Sequence, residues 1–129
     1  MNYKIAICDD SAADQNFIKE LTMRWGSKGR LALHIDTFPS AESFLFHYAE
    51  DKDYDILLLD IEMNGMDGIS LAKKLRQDND KIQILFVTGF PDFMAQGYEV
   101  AALHYLLKPL EEESFYRVLE RAVSNLKKA

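Results

Sequence analysis

Five short apolar runs recur along the chain with helical patterns between them: "YKIAIC" (3–8), "LALHIDTF" (31–38), "DILLLD" (55–60), "QILFVT" (83–88) and "YLLK" (105–108). Their length and β-branched content predict strands. The third and fourth are nearly continuous apolar runs, as expected where helices cover both faces of a parallel sheet.

The intervening segments carry helix signals. Ser11 reads as an N-cap with Asp14 three residues later, the spacing of a capping box. Phe17, Ile18, Leu21 and Trp25 then share one face, and Gly26 with Gly29 predicts the stop. Ser40 caps a second helix through Phe44, Leu45 and Tyr48, and Gly68 opens a third carrying Ile69, Leu71, Ala72 and Leu75. A fourth spans Asp92 to Ala102 with Gly97 as an interruption. The last opens on Glu111, Glu112 and Glu113 and closes on Lys127 and Lys128, matching the helix dipole at both ends. Five βα units with right-handed crossovers predict an α/β fold with a doubly wound five-stranded parallel sheet.

Composition narrows the class. A chain of 129 residues, 48% hydrophobic, fits a single domain over its whole length, 1–129, able to bury about two thirds of its unfolded surface. No apolar run approaches the length of a membrane span, and "MNYKIAICDD" lacks the apolar stretch of a signal peptide. The lone Cys8 rules out an internal disulfide and suits a reducing, cytoplasmic setting. A net charge of −6 argues against direct nucleic-acid binding by this domain. No membrane association is expected.

The chemistry is expected at the carboxyl ends of the strands, where open α/β sheets bind ligands at the reversal of strand order. The first strand ends in Asp9 and Asp10 and the third in Asp60. Carboxylates converging on one edge repel unless a cation sits among them, and an all-oxygen set suits Mg²⁺. Taken singly, Asp9 or Asp10 reads equally well as a helix cap. The fourth strand adds Thr88 and the fifth Lys108, each with a plain reading as a strand-end hydroxyl or a solvated lysine. In combination, a hydroxyl, an ammonium and a metal-binding carboxylate form a receptacle for a phosphoryl group.

These motifs, "ICDD" (7–10), "LLLDIEMNGMDGI" (57–69), "LFVTG" (85–89) and "YLLKP" (105–109), resemble those of the receiver domain of bacterial response regulators over essentially the whole chain. The resemblance implies the flavodoxin-like (βα)5 fold with strand order 2-1-3-4-5. It implies Asp60 as phosphoacceptor for a sensor histidine kinase, and Mg²⁺ held by Asp9, Asp10, Asp60 and the backbone carbonyl of Glu62. It further implies phosphoryl contacts from Thr88 and Lys108, Tyr105 as a switch aromatic coupled to Thr88, and a cis bond between Lys108 and Pro109. One departure is Asn64, where the family most often carries a proline that stiffens the loop. His104 reads as a surface histidine rather than a ligand. "DIEM", "GYEVAALHYLLKP" and the Lys-rich end resemble receivers joined to a LytTR-type DNA-binding domain, so a transcriptional output outside this chain is expected.

The resemblance also implies a two-state response in which Tyr105 repacks and the fourth-helix/fifth-strand face, near Phe93, Met94, Tyr98 and Val100, becomes a homodimer surface. Two alternatives compete. A haloacid dehalogenase-type phosphatase also uses a strand-end Asp with Mg²⁺, Thr and Lys, but needs a second Asp where this chain has Glu62. A pseudo-receiver would bind partners without phosphorylation, against the intact Asp10, Asp60, Thr88 and Lys108. On the receiver reading the protein is a phosphoacceptor that assists its own phosphoryl transfer and dephosphorylation, not an enzyme.

Overall fold

Along the first strand, Ile5 and Ile7 join one buried cluster while Ala6 and Cys8 join another. The computed structural model describes residues 2–128 and repeats this alternation across the sheet. Ile56, Leu58, Leu85 and Val87 go to the first face, and Leu57, Leu59, Ile84 and Phe86 to the second. A strand buried on both faces has no polar positions to spare, which is why the third and fourth runs are continuously apolar.

The elements follow in the order β1 (Asn2–Cys8), α1 (Ala12–Lys28), β2 (Ala32–Phe38), α2 (Ala41–Tyr48), β3 (Ile56–Leu59), α3 (Gly68–Arg76), β4 (Gln83–Thr88), a 3-10 turn (Pro91–Phe93), α4 (Met94–Glu99), β5 (His104–Leu107) and α5 (Glu112–Lys128). Among the described residues the strands form one parallel sheet in the order β2-β1-β3-β4-β5. Helices α1 and α5 cover one face through Ile18, Leu21, Trp25, Phe115, Leu119 and Val123. On the other face α2 and α3 supply Phe44, Tyr48, Ile69, Leu71 and Leu75. No helix among the described residues is long and apolar enough to cross a membrane.

Several local expectations are corrected. Helix α1 does not stop at Gly26. That glycine lies inside the helix, where a Cβ would come within 2.5 Å of Leu33 Cδ1, so it serves the close approach of α1 to β2. The left-handed residue of the turn is Arg30, at φ 55°, and the Leu31 N–H returns to the Gly26 carbonyl at 2.9 Å. Phe17 does not share the buried face of Ile18, Leu21 and Trp25; it is 48% exposed.

Gly97 does not interrupt α4. It lets the helix approach the sheet, since a Cβ there would sit 3.3 Å from Tyr105 and 3.4 Å from Phe86. Of the apolar residues around this helix, Val100 is buried and Phe93 packs on the core, while Met94 and Tyr98 face outward. His104 is exposed, as expected of a surface residue, but it belongs to β5, where its Nδ1 accepts the Tyr105 N–H.

Candidate functional site

The strand order reverses between β1 and β3, and the loops leaving these two strands part there. The Asp60 N–H donates to the Cys8 carbonyl at 3.0 Å, which continues the β1–β3 ladder one residue beyond β3 and sets Asp60 beside Asp9. Lys108 likewise lies one residue past β5, and its N–H reaches the Thr88 carbonyl at 2.8 Å. Asp9, Asp10, Asp60, Thr88 and Lys108 therefore share one edge because hydrogen-bonded strands end together.

Asp9, Asp10 and Asp60 each bring one carboxylate oxygen within 4.8 Å of the others. Asp9 is almost fully buried, with Oδ1 accepting the Ser11 N–H at 2.9 Å and Oδ2 accepting Lys108 Nζ at 2.9 Å. Asp60 is buried too, accepting the Ile61 N–H at 2.7 Å on Oδ1 and Lys108 Nζ at 3.1 Å on Oδ2. Asp10 is exposed and accepts the Asn64 N–H at 3.2 Å. The Lys108–Pro109 peptide bond is cis.

Burial pushes the Asp9 carboxyl above the ordinary aspartate range. Hydrogen bonds from Lys108 and Ser11 pull it back, and the Asp60 charge raises it further. Burial alone would lower the Lys108 pKa, but hydrogen bonds to Asp14 and Asp9 together with the Asp60 charge outweigh it and raise the pKa. The ammonium is thus retained, as an internal counter-ion. One lysine against the carboxylates of Asp9, Asp10, Asp14 and Asp60 leaves an excess of negative charge on hard oxygen donors. That donor set fits a divalent, oxygen-preferring cation such as Mg²⁺.

Thr88 is fully buried at the end of β4, and its Oγ1 accepts the Phe90 N–H at 3.4 Å. The Tyr105 hydroxyl donates to the carbonyl of the same Phe90, while its ring lies 5.8 Å from that of Phe86. One residue of the β4–α4 loop thus joins Thr88 to Tyr105. Glu62 is exposed between buried Ile61 and Met63.

Sequence reasoning missed four further participants. The Gln15 amide donates to the Asp9 carbonyl at 2.6 Å and the Phe38 carbonyl at 3.1 Å, tying two site loops together. Glu42 on α2 accepts the Met66 N–H at 2.8 Å, and that hydrogen bond holds its carboxyl below the ordinary glutamate range. The β3–α3 loop, which has Asn64 where the family most often carries a stiffening proline, is therefore tethered from both sides, by Asp10 and by Glu42. Phe90 is the third. Asp14 is the fourth: its N–H meets the Ser11 hydroxyl as a cap requires, at 3.2 Å, but its carboxylate binds Lys108 Nζ at 2.7 Å. The expected capping box is only half formed, because Asp9 has already taken the Ser11 N–H. Phe90 follows Thr88 closely and Gln15 reaches Asp9 from the first turn of α1, whereas Glu42 and Asp14 meet partners 24 and 94 positions away.

Known proteins carry the same frame. The response regulatory domain of mrkE from Klebsiella pneumoniae superposes with a TM-score of 0.84 at 25% identity, covering 98% of this chain and 99% of that one. TrrA from Thermotoga maritima, solved in complex with Mg²⁺–BeF, superposes at 0.81 and 23% identity over 93% and 98% of the two chains. In sequence, the sensory transduction protein LytT of Oceanobacillus iheyensis is 39% identical over 87 residues, and LytT of Bacillus subtilis is 28% identical over 118. Those alignments take in 64% and 92% of this chain but 35% and 47% of the relatives, so the chain spans less than half of either LytT. The DNA-binding transcriptional regulator NtrC of Escherichia coli is 33% identical over 109 residues, 81% of this chain and 23% of NtrC. The response regulator receiver domain matches residues 5–120, from the middle of β1 into α5, a stretch that includes every strand end described above; the chain belongs to the response regulator receiver domain family.

Proposed function

We propose that Asp60 accepts a phosphoryl group from a phosphohistidine of a sensor histidine kinase, in a Mg²⁺-dependent reaction, and that this charge switches an output. The observation that carries the reading is the position of Asp60. Its Oδ2 lies 3.1 Å from the Lys108 ammonium, and its carboxylate belongs to the three-aspartate cluster. A carboxylate oxygen of Asp60 attacks phosphorus, the P–N bond breaks, and the electron pair leaves on the imidazole nitrogen, which takes up a proton. The product is an acyl phosphate.

Asp10 and Asp60, with Asp9 and the Glu62 backbone carbonyl, would hold the metal, which when bound supplies neutralising charge to the phosphoryl oxygens. The protein's own part is positioning and electrostatics. Lys108 already points an N–H at the nucleophile and carries that charge to the transferred group. The Thr88 hydroxyl sits at the same edge, its oxygen accepting the Phe90 N–H, so its O–H can donate to a new anion on Asp60 and draw Thr88 and the linked loop toward it. Tyr105 senses that movement through the Phe90 carbonyl. The domain acts as a phosphoacceptor that assists its own phosphoryl transfer and dephosphorylation, not as an enzyme acting on a separate substrate. Similarity to the two LytT sensory transduction proteins supports a LytTR-type transcriptional output, and the regulator is placed in the cytoplasm with its kinase partner. The TrrA complex with Mg²⁺–BeF supports the metal and the phosphoryl site.

The test is incubation with acetyl phosphate and Mg²⁺ followed by intact mass measurement. Wild type gains one phosphoryl group, and Asp60→Asn, nearly isosteric but a poor nucleophile, gains none. A fully labelled Asn variant moves the nucleophile elsewhere. An unlabelled wild type leaves a phosphorylation-independent interaction module.

A further inference from the structure

We propose that Asp14, on the first turn of α1, is a positioning residue that holds the Lys108 ammonium on the line to Asp60. The inference rests on the reading that Asp60 accepts a phosphoryl group. An ammonium has three N–H donors and no acceptor. Here the three acceptors are Asp14 at 2.7 Å, Asp9 at 2.9 Å and Asp60 at 3.1 Å. The shortest contact belongs to Asp14, not to either carboxylate at a strand end.

The two anchors are themselves held. Asp9 is 1% exposed and locked by the Ser11 N–H, and Asp14 is placed by the hydrogen bond from its own N–H to the Ser11 hydroxyl. With two donors committed to α1 and its preceding loop, the third is left to face Asp60 Oδ2. A lysine reaches its site on a flexible stem with freely rotating donors, so direction must come from its partners. An ammonium oriented in advance stabilises the transferring group without rearranging during the reaction.

The competing explanation is an ordinary ion pair. The Asp14 side chain is 43% exposed and that of Lys108 22%, so their pairing adds little to stability. That low contribution makes the two roles separable: removal of Asp14 should leave the fold intact and change the site. A second competing effect is repulsion, since a negative Asp14 disfavours an incoming phosphoryl dianion, and its removal would then speed the reaction.

The experiment compares wild type, Asp14→Ala and Asp14→Asn in full-length chains. Each is phosphorylated with acetyl phosphate at saturating Mg²⁺ and followed by intact mass. The mobility of the Lys108 side chain is measured separately by NMR relaxation at Cε in metal-free protein. Asp14→Ala should be phosphorylated about 3- to 10-fold more slowly, on the scale of one ordinary net hydrogen bond. Asp14→Asn, which keeps an acceptor but not the charge, should fall between Ala and wild type. Lys108 should become more mobile in the order wild type, Asn, Ala, with unfolding midpoints unchanged. Equal or faster labelling of Asp14→Ala, or unchanged Lys108 mobility, overturns the proposal. Failure of wild type itself to take a phosphoryl group overturns the underlying function instead, so the two failures are told apart.

Discussion

Gly68 and Asp60 approach so closely that a Cβ at position 68 would stand 2.1 Å from the Asp60 carbonyl oxygen. The same atom would lie 2.9 Å from Ile61 Cα, so every neighbour that must yield is backbone. The Gly68 N–H meanwhile donates to the Ile61 carbonyl at 2.8 Å, closing the β3–α3 loop onto its own strand. The glycine is required for space, not for a left-handed backbone.

Gly68→Ala is therefore expected to destabilise the fold by about 2 kcal/mol or more, the upper part of the range for overpacking, since no side chain can turn away. It should also displace the Asp60 carboxylate. Urea unfolding reads the first effect, and amide shifts of Asp60 and Ile61 read the second. A change within about 0.5 kcal/mol, typical of a surface substitution, would contradict the packing argument.

Asp10 is the exposed member of the aspartate cluster, and one of its oxygens is occupied by the Asn64 N–H. Mg²⁺ binding at the cluster should perturb the Asn64 amide early in a titration. Asp10→Ala should weaken Mg²⁺ binding by about tenfold or more, because affinity at hard-cation sites follows the number of charged ligands. Calorimetry and the NMR titration measure both. Unaltered affinity in the variant would remove Asp10 from the metal set.

Cys8 lies directly behind the site, fully buried, with its Sγ 3.8 Å from Met63 Sδ. Burial, reinforced by the charges of Asp9 and Asp60, pushes the thiol up to about 12 from 9.0. Such a shift reduces the thiolate fraction near pH 8 by about a thousandfold, so alkylation by iodoacetamide should await unfolding. The sign of the stability effect follows from proton binding. Above pH 9 the unfolded thiol loses its proton while the folded one keeps it up to about 12, so this contribution is intact below 9 and falls as pH rises between the two values. Chemical denaturation at pH 8 and pH 10.5 should show a steeper loss for wild type than for Cys8→Ala. Equal slopes would mean that the folded thiol titrates normally.

Tyr105 connects the site to an outward-facing apolar surface. Its hydroxyl is held by the Phe90 carbonyl, and nearby Met94 is 49% and Tyr98 88% exposed. With the beryllofluoride mimic and Mg²⁺, self-association through the α4–β5 face is expected to strengthen about 5- to 30-fold, the equivalent of one or two kcal/mol of coupling. Tyr105→Ala should blunt that response and leave phosphorylation of Asp60 largely intact. Sedimentation across a wide concentration range decides the matter; no shift with the mimic would place the output on another surface or partner.

Much of this was legible in the sequence because it depends on short-range regularities. Apolar runs buried on both faces marked β3 and β4, and the polar residue that ends each run had to emerge at the sheet edge. Ser40 caps α2 as expected, its side chain accepting the Ser43 N–H, and Ser11 accepted the Asp14 N–H at its expected place. Strand ends and the acidic cluster follow from such local patterns once the βα repeat closes into a sheet; the strand order was implied by the resemblance to receiver domains.

Partner choice was decided only by the tertiary structure. Asp14 has the spacing of a capping residue, yet it turns to Lys108, 94 positions away, because the end of β5 converges on the start of α1 and Asp9 has already satisfied the Ser11 N–H. Glu42 carries no signal in the sequence, and its role emerges only where α2 brings it against the Met66 N–H. Gly26 reads as a helix stop until Leu33 packs where its Cβ would be. Periodicity determines which face of an element is buried; it carries no information about which charge or backbone amide the remaining face will meet. That depends on how separate elements converge in space.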